Sequence, residues 1–369
     1  MNTFLYVLFL SSILIIIILL NKNNNLEHFK IDQNEIKSYF NQSLNISYPK
    51  YRIKKNTIFV SIASYRDDEC SDTLESLFKN ATHPENIYVG ICSQNHPNNK
   101  NEECIPSHFK YLDHIRIKRL KHTDALGPNY ARYMCSHLWR GEEYYMQIDS
   151  HIQFIKNWDK IIINMYKSLP HPKCVLTHYP PASFDSKPSH TCSSHFENNF
   201  HIISEAKIIE NEKINKPIRT PYFSAGLFFT NSHFLYEIPY DPYIPYLFQG
   251  EEILMASRLY TNGWDMYNLS KPIAIHNYER DDKPHFWNDN SHKNWEEIQN
   301  ESNKRYYKMI GQKTEIHPEF KYMLKKFGMG NIRSIDDYFN FTGINMKNKK
   351  VTSRCGYRFN DNKNQWLKL

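Results

Sequence analysis

The sequence predicts an α/β fold, a central and mostly parallel sheet flanked by helices and preceded by a transmembrane helix. Three observations predict it. Short β-branched and apolar runs alternate with helix-length segments between Thr57 and His178, the pattern of a sheet covered on both faces. One such run, Glu143 to Ile148, ends abruptly in Asp149-Ser150-His151, and open α/β sheets bind ligands at the carboxyl ends of their strands. Phe4 to Leu20 is almost wholly apolar, and a helix needs about 17 such residues at least to span a bilayer.

The elements follow in order. Thr57-Ile58-Phe59-Val60-Ser61-Ile62-Ala63-Ser64 reads as a buried strand. Asp67-Asp68-Glu69 offers acidic first-turn residues for a helix reaching about Asn80. Ile87 to Ile91 and Ile115 to Ile117 read as the next strands. Gly127-Pro128 opens a helix through about Trp139, with Pro at an allowed first-turn position. After the Glu143 to Ile148 strand come a helix near Asp159 to Lys167 and a strand at Cys174 to His178. Ser183 to Lys216 reads as a polar insertion with little period. Pro221 to Thr230 returns to strand character, Gly250-Glu251-Glu252 leads a helix to Tyr260, and strands follow near Trp264 to Tyr267 and Pro272 to His276. Trp295 to Gly311, Pro318 to Phe327 and Ile335 to Phe339 read as helices. The expected division is an anchor at 1–21, a stem at 22–55, a catalytic domain at 56–289 and a C-terminal helical extension at 290–369.

Composition narrows the function. The net charge of +7 is a mild excess of basic residues spread along the chain. It suits an anionic small molecule and does not call for nucleic acid. No small-residue cleavage site follows Leu20, so an uncleaved anchor is favoured over a signal peptide. The seven cysteines include no Cys-x-x-Cys pair, which argues against a zinc ribbon. Their odd number leaves at least one thiol free, and one or two disulfides are possible. Gly-x-Gly-x-x-Gly after the first strand, the P-loop motif and Gly-x-Ser-x-Gly are all absent.

Side chains two apart on a strand share a face. Asp149 and His151 therefore project together, with Ser150 turned away, as half of a site for a divalent cation such as Mn²⁺. The plain alternative is a strand ending in a polar turn. His276 closes the Pro272 to His276 strand and could be a third ligand. Three protein ligands leave positions for two phosphate oxygens and a water. Glu251 and Glu252 stand behind Gly250 at a helix start, where the helix dipole favours them or a sugar hydroxyl meets them. Arg132, one turn into its helix, could bind phosphate. Ser64-Tyr65-Arg66-Asp67 lies where a base and ribose would sit, and Asp67 competes between that role and a helix cap.

The order Ser61-Ile62-Ala63-Ser64-Tyr65-Arg66-Asp67, Gly127-Pro128-Asn129-Tyr130-Ala131-Arg132-Tyr133, Gln147-Ile148-Asp149-Ser150-His151, Ser224-Ala225-Gly226, Gly250-Glu251-Glu252-Ile253 and His276-Asn277-Tyr278 resembles the polypeptide α-N-acetylglucosaminyltransferases that modify hydroxyproline. The resemblance covers roughly 57–280. It implies a GT-A fold, a retaining mechanism, UDP-N-acetylglucosamine as donor, Mn²⁺ as cofactor and a protein or glycan acceptor. It is distantly similar to the mucin-type polypeptide N-acetylgalactosaminyltransferases, which share the Asp-Ser-His motif. Residue by residue, it implies metal ligation by Asp149, His151 and His276, and catalytic roles for Glu251 and Asp149. It implies donor contacts from Asp67, Arg66, Arg132, Ser150 and Glu252. Anchored relatives place the catalytic domain in a lumen, which is the expectation here. A transferase of another UDP-sugar and a non-catalytic sugar-nucleotide or glycan-binding module remain the alternatives.

Overall fold

The computed structural model describes residues 44–186, 189–198, 200–208, 215–289 and 295–368. The expected anchor at 1–21 lies outside them, as does most of the stem. Among the described residues no helix is long and apolar enough to cross a membrane.

The chain opens its sheet with β1 (Lys54–Tyr65), followed by α1 (Cys70–Lys79), β2 (Ile87–Asn95), β3 (Ile115–Lys121), α2 (Pro128–Ser136) and β4 (Glu142–Ile148). Then come β5 (Ile152–Phe154), α3 (Trp158–Lys167), β6 (Cys174–Thr177), β7 (Ser189–Phe196), β8 (Ile202–Ile208), β9 (Ile218–Thr220) and β10 (Leu227–Asn231). The last site-bearing elements are α4 (Glu251–Thr261), β11 (Asp265–Asn268), β12 (Ala274–His276), α5 (Phe286–Asp289), α6 (Trp295–Met309) and α7 (Ile335–Thr342).

The main sheet has the order β3-β2-β1-β4-β10-β6-β11-β9. It runs parallel across β3, β2, β1 and β4, and again between β6 and β11. β10 and β9 run antiparallel to their neighbours. β1 is central, and its two faces meet different layers. Ile58, Val60 and Ile62 pack with Leu74, Leu77, Trp158 and Ile162 of α1 and α3. On the other face Cys92 packs with Ala131 and Cys135 of α2. Burying such side chains stabilises the fold by roughly 1.5–3 kcal/mol each. The chain leaves β1 for β2 on one side and reaches β4 on the other, so a crevice opens at the carboxyl ends of β1 and β4. Ile62 is level with Ile148, which brings the turn after β1 beside Asp149-Ser150-His151.

Several sequence expectations change. The Ser183 to Lys216 segment contains a β7–β8 hairpin. Its inward residues are polar and so carry no apolar period. Thr191 is 1% exposed and satisfied, its N–H donating to Asn268 Oδ1 and its hydroxyl sharing a bond with Ser224 Oγ. The expected Pro221 to Thr230 strand begins only at Leu227, because Ser224 and Ala225 turn their backbone groups to Thr177, Glu252 and Gln147. Asp67 to Glu69 precede α1 instead of forming its first turn. Pro318 to Phe327 is two short turns broken at Met323, whose φ is +54°. The C-terminal segment is helical through Thr342 and then forms two hairpins, β13 (Ile344–Asn345) with β14 (Lys350–Val351) and β15 (Tyr357–Asn360) with β16 (Gln365–Lys368). Disulfides join Cys70 to Cys104 and Cys192 to Cys355, and Cys92, Cys135 and Cys174 are free.

The segment just before β1 packs on the domain. Tyr48 stacks on His137 at 4.6 Å and shares a hydrogen bond with Ser136, while Tyr133 donates to the Asn45 carbonyl. The end of α2 is thus strapped by residues 45–48.

Burial pushes the imidazoles of His137, His178 and His190 down to about 4. The unfolded chain takes up protons near pH 6.5 that these native side chains refuse. Glu252, pushed up to about 7 by burial, acts in the opposite sense. Three imidazoles outweigh one carboxyl, so stability falls as pH drops from about 6.5 to 4.5. Thermal melts across that range check this, and His178→Leu should flatten the slope. A slope unchanged by that substitution would remove His178 from the account.

Candidate active site

Three donor atoms converge at the crevice. His151 Nε2 lies 3.1 Å from His276 Nε2, and His276 Nε2 lies 3.3 Å from Asp149 Oδ2. The ligand atoms of the three residues all fall within 4.8 Å of one another. Local structure explains the convergence. β4 ends at Ile148, and the Asp149 N–H donates to the Gly226 carbonyl. β5 resumes at Ile152 and pairs antiparallel with β12, in a register that sets His276 against Ile152. Two short strands thus bring a histidine 125 residues away beside His151. A Cβ on Gly226 would stand 3.1 Å from Asp149 Oδ2, so glycine there leaves the carboxylate its room.

The donor set suits a divalent cation. His151 Nδ1 bonds Asp67 Oδ2 at 2.8 Å. A carboxylate accepts, so Nδ1 carries the proton and Nε2 presents its lone pair to the cluster. Burial alone would raise the Asp67 carboxyl, but His151, Arg280 and Ser150 outweigh it and hold it below the usual range. Asp149 likewise stays ionised, its carboxyl drawn down to about 2 by His276, Arg132 and His151 against the effect of enclosure.

Asp67 and Ser150 both stand at the crevice, where Asp67 also holds Ser150 and His151. Asp67 is 1% exposed, and both of its oxygens are engaged. Oδ2 accepts from Ser150 Oγ as well as His151, while Oδ1 accepts from the Glu69 N–H and, at 3.3 Å, from Arg280. Ser150 shares the Asp67 Oδ2 atom with His151, in the turn that follows the end of β4. Arg66 does not line the crevice. It pairs with Glu102 and Asp289 and ties the turn after β1 to α5.

A second network adjoins the first. Arg132 Nη1 donates to Glu251 Oε1 at 2.5 Å, and its Nη2 lies 3.5 Å from Asp149 Oδ1. Asn129 donates to Glu251 Oε2 at 3.1 Å. The guanidinium is thus committed to two carboxylates. Burial raises the Glu251 carboxyl, and Arg132 works against that rise. Glu252 points elsewhere, accepting from the Ala225 N–H at 2.8 Å and from the Tyr179 hydroxyl. α2 carries Asn129 and Arg132, and α4 carries both glutamates.

A cleft of about 290 Å³ opens beside Asp149 and His151. Tyr65, Gln94, Pro128, Ala131 and Phe286 give it a largely apolar wall. A larger cleft of about 1190 Å³, lined by Asp68, His96 and Arg119 among others, holds none of the three converging residues. The chemistry therefore belongs to the smaller one. Sequence reading missed Asn129, Tyr179, Gln94, Phe286 and the Asp67–Arg280 contact. Asn129 sits inside a motif already singled out and Arg280 two residues past another, but nothing in a motif shows which way a side chain points.

The profile of the family Glycosyltransferase (GlcNAc) matches residues 57–111 and 99–348. The chain belongs to that family and is a glycosyltransferase. No curated protein matches it. Among solved structures it is similar to GalNAc-T7 with UDP, GalNAc and Mn²⁺, at 12% identity and a TM-score of 0.51, over 82% of this chain and 62% of that one. The likeness is one of fold, GT-A-like, and this chain spans less than two thirds of that protein. S. aureus TarS 1–349 in complex with UDP-GlcNAc matches at 13% identity and a TM-score of 0.39, over 73% of this chain and 80% of that one.

If Asp67 fixes the His151 tautomer, Asp67→Ala should weaken divalent-cation binding roughly 10- to 100-fold, the usual effect of losing such a partner. Calorimetric titration with Mn²⁺ measures this. An unchanged affinity would show that His151 needs no orienting carboxylate.

Proposed function

We propose that this enzyme transfers N-acetylglucosamine from UDP-N-acetylglucosamine to a protein or glycan hydroxyl, with retention of configuration and with Mn²⁺ or another divalent cation. The observation that carries the reading is the convergence of Asp149, His151 and His276 at the carboxyl ends of the central strands. The fold likeness to a protein solved with UDP and Mn²⁺ supports it. Asp149, His151 and His276 would hold the cation. When bound, the cation supplies Lewis-acid neutralisation of charge on the departing diphosphate.

The protein's own groups do the rest. The apolar cleft excludes water from the nucleotide end of the donor. Glu251 is held on both oxygens by Arg132 and Asn129. Each oxygen keeps a further lone pair, so the carboxylate can accept from a hydroxyl of the donor sugar and orient it. Among the described residues the neighbouring carboxylate, Glu252, is held by the Ala225 N–H and the Tyr179 hydroxyl. This favours front-face attack. The acceptor oxygen bonds to the anomeric carbon as its bond to the diphosphate breaks. The electron pair leaves on the phosphate oxygen, which takes the acceptor's proton.

For the domain plan we propose an anchor at 1–21, a stem ending before Leu44, and a catalytic unit from there onward. The packing of residues 45–48 on α2 supports moving the stem boundary forward from 55. The two disulfides support a lumenal, oxidising compartment.

A donor screen on residues 44–369 tests the reading. UDP release should be greatest from UDP-N-acetylglucosamine, require Mn²⁺, stop with chelator and vanish in Asp149→Ala. Preference for another UDP-sugar would replace the donor, and no release with any donor would leave a binding module. Glu251→Gln should lower kcat at least about tenfold, or 1.4 kcal/mol of barrier, and full rate in that variant would end its orienting role.

A further inference from the structure

The cleft with Tyr65, Gln94 and Phe286 lies beside the converging ligands Asp149 and His151. Tyr278 is no part of that cleft, yet it touches the ligand His276. Its ring packs against the His276 ring, with centroids 4.1 Å apart and planes 34° from parallel. Its hydroxyl donates to the Pro180 carbonyl at 2.8 Å. Pro180 in turn reaches the same spot over Gly226 that Asp149 Oδ2 occupies. Asn277 is fixed as well, its side chain on Glu69 and its N–H on the His151 carbonyl. The ring is therefore rigid, yet Tyr278 is 53% exposed.

A rigid, exposed ring beside the reaction centre has a use. With the nucleotide in the cleft and the diphosphate at the ligands, the acceptor must approach from outside the cleft, where Tyr278 stands. We infer that Tyr278 is the acceptor platform and that the acceptor is a carbohydrate whose pyranose ring stacks on it. This rests on the proposed transfer from a UDP-sugar.

The hydroxyl is already committed to Pro180, so the side chain offers its face. One phenol ring matches the footprint of one six-membered sugar. A pyranose presents C–H groups on one face and hydroxyls around its edge. The first suit the aromatic face, and exposed Glu279 next in the chain can accept from the second. An extended peptide would want an open strand edge. At His276 none is open, because β12 pairs with β5 and the His276 N–H donates to Pro181.

The test follows UDP release from UDP-N-acetylglucosamine with Mn²⁺, using methyl glycosides of common hexoses as acceptors and, separately, a hydroxyproline peptide. At least one methyl glycoside should stimulate release. Tyr278→Ala should raise its KM about tenfold, the scale of one aromatic contact, and more than it raises the KM of the donor. Tyr278→Phe keeps the ring and should restore the acceptor KM even if the alanine variant is less stable. Stimulation by the peptide alone, or equal rises in donor and acceptor KM, would overturn the inference while leaving the transferase reading intact. Absence of UDP release under every condition would overturn both.

Discussion

The hydrogen bond from His151 to Asp67 is the constraint on which the site depends. It joins the turn after β1 to the turn after β4, the two strand ends that flank the crevice. It sets which nitrogen of His151 carries the proton. Ser150 reinforces it on the same carboxylate oxygen, and Arg280 reaches the other oxygen from beyond β12. The turn after β1, the turn after β4 and the segment after β12 thus meet on a single buried carboxylate. Such a group is costly to bury unless it is fully partnered, and here every partner also serves the site.

Charge is arranged around this centre in two shells that touch only at Asp149. One oxygen of Asp149 faces the imidazoles and the other faces Arg132. Arg132 passes the connection on to Glu251. A single guanidinium between two carboxylates lowers Asp149 and opposes the rise that burial imposes on Glu251. The leaving-group end and the sugar end of a donor would then be aligned by one rigid helix, α2, whose far end is strapped by Tyr48.

Much of this was legible in the sequence, and the exceptions have physical reasons. Asp149 and His151 do converge, but in a turn after β4 and not by strand period, and Ser150 stays beside His151 on Asp67. Pro272 to His276 read as a strand ending in histidine, and the structure brings that histidine to the pair. Asp67 and Arg132 were read as nucleotide contacts because their positions in the chain suit a ligand. Both line the cleft, and position alone could not show that Asp67 also holds Ser150 and His151, or that Arg132 also pairs with Glu251 and Asp149. The β7–β8 hairpin was invisible for a related reason. Its buried residues include Thr191 and Ser194, which hydrogen-bond to Asn268, Ser224 and Tyr222 and leave little hydrophobic signature.

The Cys192–Cys355 bridge links that hairpin to the far end of the chain, across 163 residues. On a ribosome the amino-terminal partner emerges long before its mate. The α/β core can assemble from strands that are already complete, but the wall formed by β7 and β8 waits for the last segment to arrive before it can be sutured. The order of synthesis therefore leaves the β7–β8 hairpin unfastened until Cys355 has been made. A chain stalled or cut short near its end would hold a finished core with an unfastened flank.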